Sequence, residues 1–494
     1  MEAVVILFLA IFTFITRVIN LLNVPIFTDE AIYIRWAQIG LNDPAHRYIS
    51  LTDGKQPLLT WLMYPFLKIF TDPLFAGRFV SVLSGVFASI GIYLLGRHLF
   101  GKKTAILASI VYIISPFAIV YDRLALMDSL LASIGIWSFY LSVLLIKFVR
   151  LDIALLLGIT IGFGLLTKSS AIFFLYLLPF SLLLFDFKKK NRVKILLNWG
   201  ALCLLVFMIA QVIYNSLRLS PWFYIIEQKN YTFIYRLDEI IKNNFSTFLP
   251  NLYGLTMFLV GYLTWPVILL LIFGLYIVLV KKDKKILYLF LWFILPFLAL
   301  SLFGKVLFPR FILFMIIPIF IIISESLLQL INIVNKKIGK YAYLFLLILL
   351  IPGYQSFLAL ASPVEMSIPQ NDRNQLFDDW PSGYGVREVI SYLQKEAETK
   401  KIVVGTEGTF GLNPAVYEIY LGENKNVEIY GFWPVSEVPE KLLEKAKQYP
   451  TYLIFKEKKA VPGEWQLKLI NKYRRGKGDT YLLFYQVEKF AKTS

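Results

Sequence analysis

Cysteine is almost missing from this sequence. The single one, Cys203, lies inside an apolar run, which excludes a disulfide framework and a thiolate metal site. Charged residues are sparse, at 17%, and no His/Asp/Glu group has metal-ligand spacing. There is no Walker loop, no catalytic triad, no nucleic-acid motif and no internal repeat. Acidic residues are the minority, with 33 Asp+Glu against 50 Lys+Arg and a net charge of +17. In a soluble chain such an excess points to nucleic acid. Here it gathers in short clusters between apolar runs, which makes it a topology signal instead.

What is present is hydrophobic. Apolar residues make up 57% of the 494 and the mean hydropathy is +0.64, too apolar for an ordinary soluble protein. Aromatics reach 16%, many near the ends of apolar runs, as in an interfacial belt. Residues 1–22 have the length of a signal peptide. They open on Glu2 rather than a basic patch and lead to no small-residue cleavage site, so they read as a retained first span. With about 20 apolar residues per crossing, candidate spans fall near residues 3–22, 76–99, 105–120, 127–147, 153–166, 170–185, 195–214, 255–280, 286–303, 311–331 and 341–361. The expected class is a mainly α, polytopic membrane protein with about eleven transmembrane helices.

Alternate links between these spans are basic: Lys102-Lys103; Lys147 with Arg150; Lys188–Lys190 with Arg192 and Lys194; Lys281-Lys282 with Lys284-Lys285; and Lys336-Lys337 with Lys340. The positive-inside rule makes that side cytoplasmic. The N-terminus is then cytoplasmic and residues 362–494 extracytoplasmic. The other links carry isolated charges in aromatic and apolar surroundings: Asp29, Glu30, Lys55, Asp122, Arg123, Lys168, Lys305 and Arg310, with Asp128 just inside the next span. Charges near membrane depth are costly and default to function. Each alone reads equally as a snorkelling side chain, but all of them fall on one face. Asp29 and Glu30 also fit a plain helix start, as N-cap and first-turn charge. Two outer links are long, residues 23–75 and 215–254.

After residue 361 the composition turns polar, and strands alternate with helices. Helices are expected at 386–398 and 413–421, and strands at 401–405, 427–430, 452–455 and 480–485, giving a small α/β domain over 362–494. The run Gly405-Thr-Glu-Gly408-Thr-Phe-Gly411 resembles a phosphate-binding turn without dinucleotide spacing and reads as a loop.

Five motifs, taken together, resemble the GT-C membrane glycosyltransferases, nearest the protein O-mannosyltransferase and aminoarabinose transferase group. They are Asp29-Glu30 after the first span, Lys55-Gln56-Pro57-Leu58-Leu59, Tyr121-Asp122-Arg123-Leu-Ala-Leu-Met127-Asp128, Gly164-Leu-Leu-Thr167-Lys168, and Phe308-Pro309-Arg310-Phe311. The resemblance covers roughly residues 1–361. It implies a catalytic GT-C domain there and transfer of a sugar from a polyprenyl-phosphate donor to a lipid, protein or glycan acceptor at the extracytoplasmic face of the plasma membrane. Asp29 matches the family's acidic position and would serve as base. Glu30 would orient the acceptor or touch the donor sugar. Lys55, Arg310 and Lys168 would hold the donor phosphate as it leaves. Arg123 and Asp128 match an Arg…Asp pair expected to be a buried ion pair beside Asp122, with Arg123 within reach of the donor. Gln56 and Gly54 depart from the family, which has proline at the first and, in the aminoarabinose branch, glutamate at the second. No cofactor is called for, although relatives that use a divalent cation leave room for one between Asp29 and Asp128. Two other classes remain, a lipid-linked sugar transporter or flippase and a non-catalytic envelope assembly protein. Against the transporter, its charged residues would meet at mid-membrane between repeats rather than at one face.

Overall fold

Helices begin where the apolar runs begin, and prolines and glycines divide them. In the computed structural model, which describes residues 2–488, the helices of the first half are α1 (Glu2–Val18), α2 (Thr28–Asn42), α3 (Leu58–Ile69), α4 (Pro73–Leu99), α5 (Lys102–Ile113), α6 (Pro116–Tyr121), α7 (Met127–Phe148), α8 (Leu151–Thr167), α9 (Ile172–Leu177) and α10 (Arg192–Asn215). There follow α11 (Ile225–Phe233), α12 (Leu237–Lys242), α13 (Phe248–Leu263), α14 (Trp265–Lys281), α15 (Lys284–Phe303), α16 (Leu313–Ile338) and α17 (Leu350–Ala361). The last part runs α18 (Gln370–Arg373), α19 (Val386–Ala397), β1 (Ile402–Glu407), α20 (Leu412–Leu421), β2 (Val427–Phe432), α21 (Glu440–Ala446), β3 (Thr451–Phe455), β4 (Leu467–Arg474) and β5 (Tyr481–Val487).

The chain forms two compact units, and neither is continuous. The helical unit holds the residues up to Asn20, Ala45–Leu62 and Arg78–Pro369. The sheet-bearing unit holds Leu21–Pro44, Met63–Gly77 and the residues from Gln370 onward. Two pieces of the first long loop therefore belong with the C-terminal sheet.

In the helical unit α16 is central. Its run Leu-Phe-Met-Ile-Ile-Pro-Ile-Phe-Ile-Ile-Ile is apolar on every side, and Leu313–Ser324 is buried throughout; a helix hydrophobic all round belongs inside. It packs on α5, α7, α14 and α15, while α8 packs between α7 and α10. Among the described residues five helical stretches are long and apolar enough to cross a membrane, or six if α13 and α14 make one bent span. The expected spans map onto these and onto shorter helices. Residues 105–120 break before Pro116 into α5 and α6, and 170–185 is α9 followed by a 3₁₀ run. The expected span at 255–280 is instead two helices, α13 and α14, bent by 114°. The bend sits at Thr264, at φ +67°, a backbone region costly for a β-branched residue.

In the sheet-bearing unit the strand order is β2-β1-β3-β5-β4. β1 pairs in parallel with β2 and β3, and β5 antiparallel with β3 and β4. Every residue of β1 and β3 is buried, the signature of strands covered on both faces. The expected helices and strands are present. β4 is additional, an edge strand whose exposed Lys468, Lys472 and Arg474 guard it against pairing with another chain.

Candidate active site

The start of α2 carries Asp29 and Glu30. The cap lies two residues earlier than Asp29, at Phe27, whose N–H donates to Glu30 Oε2 at 3.0 Å. Glu30 is fully buried and serves the helix start, where the first N–H groups have no partner in the helix. Asp29, next to it in the first turn, is half-buried. The chain just before α2 is pinned from within its own unit. Phe27 bridges Ser382, and both the N–H and the hydroxyl of Thr28 donate to the Pro381 carbonyl, at 3.1 and 3.0 Å. Further along α2, Arg35 pairs with Glu418 of α20 at 2.9 Å.

The helical unit gathers Lys55, Lys168 and Arg310. Lys55 leaves a short 3₁₀ helix, Ile49–Asp53, through Gly54. Lys168 ends α8, and Arg310 lies in the 3₁₀ turn that leads into α16. All three approach one pair of aromatic rings. Phe233 and Phe311 meet edge to face at 6.0 Å. The Lys55 ammonium lies 5.0 Å from the Phe233 ring and that of Lys168 4.6 Å from Phe311, while the Arg310 guanidinium is 4.7 Å from Phe308 and 5.9 Å from Phe311. Such contacts hold cations at a partly dry surface.

The two departures from the family pattern have structural reasons. Gln56 donates from Nε2 to Ser169 Oγ at 2.7 Å and so ties the Lys55 segment to the Lys168 segment. Gly54 sits at φ +67°, and a Cβ there would lie 2.5 Å from Lys229 Cβ. A glutamate has no room at that position.

The expected Arg123–Asp128 pair is replaced by two others. Asp128 pairs with Lys168 at 2.7 Å. Arg123 donates to the Asn20 carbonyl at 2.7 Å and the Thr16 carbonyl at 3.5 Å. The buried ion pair of this region is Arg17–Asp122, at 3.1 Å, and sequence reading did not single out Arg17. Asp122 also accepts from Tyr112 at 2.7 Å and Ser129 at 2.6 Å, and Arg17 donates to the Ile113 carbonyl at 2.7 Å. Asp128 is nearer in sequence to Arg123, but Lys168 reaches it from the end of the neighbouring helix. Among the described residues no three His, Cys, Asp or Glu side chains form a metal-binding group.

The chain shares its fold with solved structures of the ArnT type. Over 99% of its length the chain is similar to the crystal structure of ArnT from Cupriavidus metallidurans in the apo state, with TM-score 0.58, 12% identity and 98% of that chain covered. The same protein bound to undecaprenyl phosphate gives TM-score 0.54 at 13% identity, with 99% of this chain and 98% of that one covered. The Archaeoglobus fulgidus oligosaccharyltransferase, in complex with Zn and sulfate, gives 0.53 at 13%, with 91% of this chain and 67% of that one covered. The family model described as dolichyl-phosphate-mannose-protein mannosyltransferase matches residues 54–214. An undecaprenyl phosphate-alpha-4-amino-4-deoxy-L-arabinose arabinosyl transferase from Wigglesworthia glossinidia brevipalpis is 27% identical over 272 residues, 53% of this chain and 47% of that one. The aligned stretch thus spans about half the length of that relative.

Proposed function

We propose that this chain is an integral membrane glycosyltransferase that moves a sugar from a polyprenyl-phosphate donor to an acceptor at the extracytoplasmic face. The observation that carries the reading is the approach of Lys55, Lys168 and Arg310, from three distant segments, to the Phe233–Phe311 ring pair. A leaving lipid phosphate gains negative charge and needs cations held in place beforehand. The relatives named above for undecaprenyl phosphate and for an arabinosyl transferase supply the donor class.

In this reading Asp29 is the base. It takes the proton of the acceptor hydroxyl or amine as that atom attacks the anomeric carbon. The new glycosidic bond forms, the carbon–oxygen bond to phosphate breaks, and its electron pair leaves with the lipid phosphate. The bond forms on the face opposite the departing phosphate, so the anomeric configuration inverts. Glu30 is a positioning residue that fixes the helix start presenting Asp29. Lys55, Lys168 and Arg310 receive the phosphate. Asp128 sets the Lys168 ammonium, and the Asp122–Arg17 pair with Arg123 holds the loop between α6 and α7. About eleven crossings, with the shorter helices included and α14 alone crossing from the bent pair, place the basic links in the cytoplasm and the sheet-bearing C-terminal part outside.

The test uses protein in lipid nanodiscs supplied with synthetic undecaprenyl-phosphate sugars, with release of undecaprenyl phosphate as readout. Asp29→Asn is expected to lower transfer about a hundredfold or more and to leave undecaprenyl phosphate binding intact. Transfer at the wild-type rate removes Asp29 from the mechanism.

A further inference from the structure

The loop Gly408–Gly411 after β1 has no part in the proposed transfer, yet its setting is that of a ligand site. The chain leaves β1 for β2 through α20 and comes back to β3, on the other side of β1, through α21. In open α/β sheets ligands bind beyond the carboxyl ends of the strands where the connections diverge in this way. Here the two strand ends are joined. Glu407, the last residue of β1, accepts the N–H groups of Lys456 and Glu457 at 2.7 Å and of Lys458 at 3.2 Å, just past β3. The Lys456 ammonium is almost buried, 4.3 Å from the Trp380 ring, 6.0 Å from Trp433 and 3.0 Å from Glu457. Gly408, at φ +115°, lets the loop come close: a Cβ there would lie 3.0 Å from the Asn413 carbonyl and 3.3 Å from Lys456 Cε.

Two independent features point to a ligand. Phe410 and Trp433 are each 55% exposed, on the loops that follow β1 and β2, and Phe410 rests at 6.2 Å from Trp36 of α2. Asn413 is fully buried, and neither its Oδ1 nor its Nδ2 has a hydrogen-bond partner among the described residues. The same holds for the buried Tyr417 hydroxyl one turn on and for Nη2 of Arg475, whose charge is felt by both Tyr417 and Glu407. Unsatisfied buried polar atoms are rare enough that each calls for an explanation. Flat apolar faces on loops whose neighbouring residues carry unfilled donors and acceptors of both kinds suit a polyhydroxylated ring. Glu407 and Glu457 balance the Lys456 and Arg475 charges at the same strand ends, which suits a ligand without charge.

We propose that the carboxyl ends of β1, β2 and β3 form a binding site for a sugar ring of a neutral glycan, with Phe410 and Trp433 as stacking faces and Asn413 reading hydroxyls. The site is independent of the transfer reading, because its test measures binding alone. Full-length protein in nanodiscs, free of sugar-headed detergent, is titrated with maltotetraose, mannotetraose and chitotetraose and followed by tryptophan fluorescence and calorimetry. At least one is expected to bind with Kd of about 1 mM or tighter. Trp433→Ala and Phe410→Ala each weaken that binding about tenfold or more, and Leu469→Ala, a similarly exposed position on β4, leaves it unchanged. No binding of any of the three up to about 10 mM overturns the proposal, and so does binding that survives both aromatic substitutions.

Discussion

The Asp122 cluster and the Lys55–Lys168–Arg310 cluster belong to the same helical unit and are built on opposite principles. Around Asp122 every group is turned inward. Arg17 and Asp122 are 0% and 3% exposed at their side chains, and the carboxylate takes three donors from α1, α5 and α7. Such a network is complete without a ligand and holds helices in register. Around Phe311 three like charges approach common rings and stay half-exposed. Asp128 offsets the charge on Lys168, and an arriving anion is attracted to cations already gathered at one surface. The difference separates a structural polar group from a binding one: satisfaction and burial in the first, shared charge and access in the second.

The largest effect is expected where the closed cluster is opened. Asp122→Ala leaves Arg17 buried without its counter-charge, a loss of about 3–5 kcal/mol when one partner of a buried pair is removed. Yield of folded protein and the apparent melting temperature in nanodiscs should both fall sharply. A variant that keeps wild-type stability would show that the cluster is not structural.

Next come the cations. Lys55→Ala and Arg310→Ala should each weaken undecaprenyl phosphate binding about 10–100-fold, the equivalent of one charged hydrogen bond of about 1.5–3 kcal/mol, with little change in melting temperature. Raising salt should weaken wild-type binding less than it would for charges fully in water, because partly buried pairs are screened less. Unchanged affinity in both variants would place the donor phosphate elsewhere.

This contrast marks what the sequence could disclose. That Lys55, Lys168 and Arg310 gather was legible because each sits in a short motif beside an apolar run, and the order of the motifs carried the resemblance. The Arg17–Asp122 pair was not, because its members are 105 positions apart and Arg17 ends an apolar helix like any snorkelling charge. Asp128 was matched to Arg123 through the Arg…Asp pair of the resembled family, whereas packing of α7 on α8 gave it Lys168. Strands β1 and β3 were legible from the apolar runs Ile402–Val404 and Tyr452–Phe455. β4 was not, because a register shift between Leu469 and Asn471 breaks its alternation. Nothing in the hydropathy of residues 255–280 marked the bend at Thr264.

A smaller effect is expected at Gly54, which feeds Lys55 toward the rings. Gly54→Ala places a Cβ at positive φ and against Lys229, so about 1–2 kcal/mol of strain is expected. If the 3₁₀ helix relaxes by moving Lys55, donor binding weakens by a few-fold while Arg310 is untouched. A Gly54→Ala protein with wild-type affinity and stability would show that the Lys55 segment is not held by this turn.

The smallest effect belongs to a third kind of cluster, exposed and of mixed sign. Glu428 on β2 is bonded to Lys401 and Lys445 at 2.6 and 2.7 Å and accepts from Tyr430 at 2.8 Å. These hydrogen bonds, from Lys401 first, hold its carboxyl down at about 2. A carboxyl lowered on folding stabilises the folded chain above its unfolded value, near 4.5, and that contribution fades as pH falls from there toward about 2. Because the group is open to solvent, the gain is small and salt-sensitive. Glu428→Gln should therefore melt slightly below the wild type at pH 7, the gap should narrow as pH falls below about 4.5 and close only at about 2, and 0.5 M salt should narrow it at pH 7 (all orders of magnitude set by about 0–1 kcal/mol for exposed pairs). A gap that widens with acid would mean that the carboxyl is stabilised in its protonated form, and the cluster would then resemble the buried one rather than complete the series.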